Sequence, residues 1–225
     1  MPDNLHRKLL AEWLGSLLLA ATVIGSGVMA EQLAAGNMAI ALLANTAATV
    51  AMLAVLIALF GPVSNAHFNP AVSLVMAFRR SLSWREMMLY VLMQVSGCCM
   101  GTMLAHAMFA LPLVQISTHV HAGVSQWLAE GVATFGLLLV VLGHRRNEDA
   151  SWMVAAWIGA AYWFTSSTSF ANPAISIARS MTNTFSGIRP ADVPGFILAQ
   201  IAGALMAMWL AERLFLLSKD TAPEK

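Results

Sequence analysis

The chain has 225 residues, 59% of them hydrophobic and 10% charged, with a formal net charge of +1 and a mean hydropathy of +0.71. That is too little polar surface to coat a water-soluble globule of this size, so lipid is the solvent for most of the chain. The near-neutral charge and scattered basic residues argue against nucleic acid or an anionic partner, and the adjacent Cys98 and Cys99 would form only a strained disulfide closing no useful loop.

Apolar runs of the roughly 20 residues needed to cross a bilayer fall at residues 9–30, 38–60, 84–109, 126–143, 151–169 and 195–217. The first continues past twenty residues with no small-residue cleavage site after a short core, which suits a retained span rather than a signal peptide. Two further stretches, 69–78 and 172–181, are too short to span, and each opens with Asn-Pro-Ala. They read as re-entrant half-helices. The longest remaining segment, 111–125, is only a loop, so residues 1–225 form a single all-α transmembrane domain.

Arg7, Lys8, Arg79, Arg80, Arg85, Arg145, Arg146, Arg213, Lys219 and Lys225 fall before, between or after spans on one side, leaving Arg179 and Arg189 for the other. The positive-inside tendency then places both termini in the cytoplasm. Trp13, Trp84, Trp127, Trp152 and Trp209 lie near span ends, as interfacial anchors do.

The chain repeats itself, over about 5–110 and 123–217. Ala11-Glu12 recurs as Ala129-Glu130, Asn69-Pro70-Ala71 as Asn172-Pro173-Ala174, and Gln94-x-x-Gly97 as Gln200-x-x-Gly203, at offsets of 118, 103 and 106 residues. Each half holds three spans, an odd number, so the second copy enters the membrane inverted. The two short helices then enter from opposite faces and meet tip to tip. Asparagine is a favoured N-cap, and proline fits the first helical position with no N–H to strand. The capping amides of Asn69 and Asn172 retain NH2 donors for a pore, and two converging dipole ends repel cations and protons without any formal charge. Non-helical backbone at this depth survives only if buried or lining a wet cavity. The carbonyls of Asn65, Ala66 and His67, and of Thr168, Ser169, Phe170 and Ala171, are the expected pore acceptors.

On Ala11-Glu12-Trp13-Leu14-Gly15, Ala66-His67-Phe68-Asn69-Pro70-Ala71-Val72, Phe170-Ala171-Asn172-Pro173-Ala174 and the Gln-x-x-Gly segments, the chain resembles the aquaporin or major intrinsic protein family over all six spans. The resemblance implies an hourglass of six transmembrane helices and two half-helices, a passive pore for small uncharged solutes within each subunit, a homotetramer in the lipid of a bacterial inner membrane, and neither cofactor nor metal. It also implies that Glu12 and Glu130 hold the irregular segments before the half-helices. The family's selectivity filter corresponds here to Thr49, Ala160, Ser169 and Ile175, counted from Asn69 and Asn172. Ile175 departs from the arginine usual at its position, and Ala160 from the histidine of water-selective members. A filter of small and apolar side chains suits glycerol-like polyols, or undissociated metalloid acids such as arsenous acid, which some bacterial relatives handle.

Arg179, four residues beyond Ile175, lies on the same helical face one turn further out. It serves either as a displaced filter arginine at the outer vestibule or as a snorkelling group on a loop carbonyl. His67 supports its loop, His119 and His121 alternate in an outer loop as a solvated, metal-binding or pH-sensing pair, and Gly97 with Gly101 permits close helix contact within the bundle or between subunits. Two other functions compete with a channel: an ion- or proton-coupled transporter using Glu12 and Glu130, and a closed structural relative. An enzyme is not expected, since no nucleophile and base pair or metal-ligand cluster appears.

Overall fold

The computed structural model describes residues 3–143 and 150–215. They form eight helices: α1 (Asp3–Leu33), α2 (Met38–Ser64), α3 (Pro70–Phe78), α4 (Trp84–Met108), α5 (Val124–Gly143), α6 (Ala150–Phe164), α7 (Pro173–Arg179) and α8 (Val193–Leu214), the last entered through a 3-10 turn at Pro190–Asp192. Lipid offers backbone groups no partners, so every long apolar run closes its hydrogen bonds internally as a helix. Five helices are long and apolar enough to span, and α6, with 15 residues, is shorter.

These elements match the expected six spans and two half-helices, with differences at the ends. The fifth apolar run was expected to continue to residue 169, but α6 stops at Phe164. The following Thr165-Ser166-Ser167-Thr168-Ser169 hydroxyls compete for backbone bonds, and Ser167 is drawn off to Glu130. Conversely, α1 begins at Asp3, before its apolar run. Arg145, Arg146, Lys219 and Lys225, and the last residues of the expected final span, lie outside the described residues.

The two halves of the chain pack in corresponding ways. α1 lies along α4 as α5 lies along α8, α2 meets α6, and each half-helix leans on the last long helix of the other half, α3 on α8 and α7 on α4. The glycines make the two long pairs close. A side chain at Gly97 or Gly101 would run into the Trp13 or Leu17 carbonyl of α1, and one at Gly203 into the backbone of Gly131 in α5. The Gly-x-x-x-Gly pair therefore serves packing within the bundle. Large apolar side chains such as Leu33, Leu43 and Leu198 cover the outside, and Trp84, Trp127, Trp152 and Trp209 are exposed near helix ends.

Candidate functional site

Both re-entrant loops are held by a buried glutamate. Glu12 Oε1 accepts from Ser64 Oγ (2.6 Å) and the His67 N–H (3.0 Å), and its Oε2 from the Phe68 N–H (2.8 Å) and Gln94 Nε2 (2.8 Å). Glu130 repeats this set with Ser167 Oγ (2.6 Å), the Phe170 N–H (2.8 Å), the Ala171 N–H (2.9 Å) and Gln200 Nε2 (2.6 Å). Each glutamine also donates to a half-helix serine, Gln94 to Ser73 and Gln200 to Ser176, both at 2.9 Å. Pulling the N–H groups toward the carboxylates turns neighbouring carbonyls the other way. Three residues per loop accordingly take positive φ: Asn65, Ala66 and Phe68 at 66°, 48° and 47°, and Thr168, Ser169 and Ala171 at 58°, 50° and 46°. Left-handed backbone costs a non-glycine residue roughly 1–2 kcal/mol, which the four bonds to each carboxylate offset.

The glutamines of this frame were legible only as repeat landmarks, and the glutamates also as the loop-holding acids that the family resemblance implies. That Ser64 and Ser167 belong to it, and that every carboxylate oxygen is occupied, appears only in three dimensions. With both acids so engaged, neither keeps an oxygen without a donor for a proton relay.

At the tips, Asn69 Oδ1 caps the Ala71 N–H (2.9 Å) and Asn172 Oδ1 caps the Ala174 N–H (3.0 Å). Each amide reaches across the molecular midplane. Asn69 Nδ2 donates to the Ala171 carbonyl and Asn172 Nδ2 to the Phe68 carbonyl, both at 2.8 Å. This reciprocal pair locks the half-helices tip to tip and uses one of the two N–H groups on each amide. Pro70, Ala71, Pro173 and Ala174 do not line the cavity; Ala71 and Ala174 are buried in the core between the tips.

One cavity of about 820 Å³ runs past the tips, from Ser81, Leu82 and Ser151 near one end to Thr49, Tyr162 and Arg179 near the other. Asn65, Ala66, His67, Ser169, Phe170 and Ala171 line it, as do both asparagines. Thr168 does not, a correction to the expected row of acceptors: its N–H folds back onto the Thr165 carbonyl (3.2 Å) and turns the residue out of the wall. His67 lines the cavity with its Nδ1 3.0 Å from Ser73 Oγ and its ring 5.4 Å from that of Tyr90, so it does support its loop.

Of the four counted filter positions, Thr49, Ser169 and Ile175 line the cavity and are buried. Ala160 does not; it sits on the exposed face of α6. Ser151, Val154, Ile158 and Tyr162 are the α6 residues turned inward, at helical spacing. A count of twelve residues back from Asn172 therefore falls on the wrong side of the helix, and Tyr162 occupies the wall that Ala160 was expected to form. Thr49 Oγ1 and Ser169 Oγ are buried without a partner among the described residues.

Arg179 is buried and lines the outer part of the cavity. It does bind a loop carbonyl, through Nε to Ser186, while its guanidinium carbon lies over the Phe170 ring, 3.4 Å from the centroid. Phe170 in turn packs against Phe196 (5.1 Å) and His121 (5.6 Å). His121 is thus wedged between aromatic rings rather than solvated, and its backbone N–H donates to Asp192 Oδ2 (2.9 Å). Burial, with the charge of Arg179 next, pushes its pKa below the ordinary histidine value. His106, unremarked in the sequence, ties the outer loops together with one ring nitrogen 2.9 Å from the Leu113 carbonyl and the other 2.8 Å from Thr182 Oγ1. No group of three or more metal-ligating side chains occurs among the described residues.

Residues 2–170 match the family model described as "Major intrinsic protein". The chain is 52% identical to aquaglyceroporin AqpS of Rhizobium meliloti (strain 1021), over 98% of this chain and 97% of that protein. It is 27% identical to aquaporin NIP2-2 of Zea mays, over 93% of this chain and 71% of that one. The X-ray structure of the aquaglyceroporin from Plasmodium falciparum superposes with a TM-score of 0.73 at 17% identity, covering 93% of this chain and 96% of that chain, a likeness of fold.

Proposed function

Since the chain belongs to the major intrinsic protein family, we propose that its cavity of about 820 Å³ is the conducting pore and that Asn69 and Asn172 form its central constriction. The protein is a multi-pass membrane protein and a passive channel for water and glycerol-like solutes, not an enzyme. The observation that carries the pore assignment is the reciprocal bonding of the two asparagine amides to the carbonyls of Ala171 and Phe68 inside that one cavity.

A solute passing in file accepts from the second N–H of each asparagine and donates to the carbonyls of the two loops. The converging helix ends add a positive potential that disfavours cations and protons. Beyond the tips, the hydroxyls of Thr49 and Ser169, the apolar Ile175 and the larger Tyr162 make a mixed polar and apolar filter, with Arg179 in the outer vestibule. Such a filter suits polyols, and undissociated metalloid acids such as arsenous acid, better than water alone. We further read the chain as a homotetramer in a bacterial inner membrane, both termini cytoplasmic, with small neutral solutes and lipid as its partners and no nucleic acid.

Stopped-flow swelling of proteoliposomes tests this reading. Water and glycerol fluxes are expected to scale with their own gradients and to ignore an imposed proton gradient. Uptake that saturates and follows the proton gradient would favour a coupled transporter, and absent flux a closed relative.

A further inference from the structure

His121, in the loop before α5, lies half-buried behind the cavity wall, its ring against those of Phe170 (5.6 Å) and Phe196 (6.0 Å). Phe170 belongs to the second re-entrant loop, lines the cavity and carries the Arg179 guanidinium carbon 3.4 Å from its ring centroid. One phenyl ring thus touches both the histidine and the arginine of the outer wall. The charged and titratable groups facing His121 are Arg179 from α7, His119 of its own loop, and Asp192 at the entry to α8, itself tied to Arg189 by a 2.7 Å bond. Asp192 Oδ2 already accepts the His121 backbone N–H at 2.9 Å. From α5 comes the neutral Gln126, close enough to favour the charged form of the ring. Gln126 Nε2 donates to the Ser166 carbonyl (3.0 Å), which fixes the amide, and its Oε1 is buried with no partner among the described residues. A buried acceptor without a donor is costly, and a second N–H on the imidazole would supply that donor.

While neutral, the imidazole is one more ring in an aromatic cluster, and burial with the Arg179 charge keeps it neutral until the medium is acid. A proton then places a second cation beside the phenyl ring that already carries a guanidinium, where shelter from water strengthens the repulsion. Asp192 and Gln126 draw the charged ring the other way. Arg179 is buried and its open side is the cavity, so the pore is where it can yield. We propose that His121 is an acid-sensing switch of the outer pore: protonation drives its ring from Phe170 toward Gln126 and Asp192, and the released guanidinium of Arg179 moves into the cavity and slows solute flux. This switch rests on the channel reading above and adds a regulation to it.

The test is glycerol permeability as a function of pH, measured by stopped-flow light scattering on proteoliposomes of the full chain and of its His121→Phe and Gln126→Leu variants. The parent's flux is expected to fall about three- to tenfold between about pH 7.5 and about pH 4.5, with a midpoint below the ordinary histidine value of about 6.5. His121→Phe keeps a ring in the cluster and takes up no proton, so its flux is expected to match the parent's near neutral pH and to stay level in acid. Gln126→Leu removes the waiting acceptor, so the midpoint is expected to move down by about half a pH unit or more, the value of one hydrogen bond, with its flux near neutral pH as the check that the protein is folded. A parent flux that is level with pH, an acid fall that His121→Phe retains, or a midpoint that Gln126→Leu leaves in place overturns the switch. A parent that passes no glycerol at any pH would instead overturn the channel reading, so the two failures are distinct.

Discussion

Glu130 shows how narrowly one side chain is specified. Both its oxygens face donors only, Ser167 Oγ and the Phe170 N–H on one, the Ala171 N–H and Gln200 Nε2 on the other. A glutamine would aim an NH2 at two of them. Glu130→Gln is expected to cost about 2–4 kcal/mol, read as a lowered thermal midpoint in detergent; an unchanged midpoint would show that the loop stands without it. His121 makes a pH prediction. Its neighbours are Phe170, Phe196, Arg179, His119, Gln126 and Asp192, and burial followed by the Arg179 charge depresses its pKa. The unfolded chain therefore takes up a proton below about pH 6.5 where the folded chain resists it, so folding stability falls as pH drops from there toward the depressed value, and this group causes no further loss below that. His121→Phe, which keeps a ring in the wedge, is expected to lessen the fall in thermal midpoint between about pH 7 and 5; an identical slope would assign the loss to other groups.

Among the elements, the half-helices are the most predictable from local chemistry. An asparagine cap, a proline at the first position and a run of fewer than a dozen apolar residues dictate a short helix starting at Pro70 or Pro173 wherever they occur. The long helices depend on close approach instead. α5 and α8 meet where Gly203 lies on the backbone of Gly131, and any side chain there must separate the pair. Gly203→Val is expected to cost about 1–3 kcal/mol or more, measured as lost monodispersity on gel filtration and a lower midpoint. Gly61→Ala is the matched control, because a Cβ at Gly61 meets nothing within 4 Å and alanine favours the helix; equal damage from both would refute the contact argument.

For the molecule as a whole, Arg79, beyond α3, lies 3.9 Å from Glu212 near the end of α8, which puts two of the basic segments grouped by the positive-inside tendency on one face. The segment that follows Arg179 and carries Arg189 joins the 109–123 loop at the other face, through the Gln115 N–H to Met181 carbonyl bond (2.9 Å) and the Arg189 N–H to His119 carbonyl bond (2.7 Å). A tag on the C-terminus of intact cells is expected to be labelled only after permeabilisation; labelling from outside would invert the orientation. Composition, the two capped half-helices and the landmarks of the inverted repeat determined the membrane solvent, the element order and the paired tips, because capping, acid burial and the exclusion of backbone from lipid act over a few residues. Which face of α6 meets the pore was decided only in three dimensions. Lipid, core and much of the pore wall are all apolar, so the periodicity of α6 carries no mark separating Ala160 from Tyr162, and the helix's rotation follows from where it ends and how Glu130 pulls in the loop behind it.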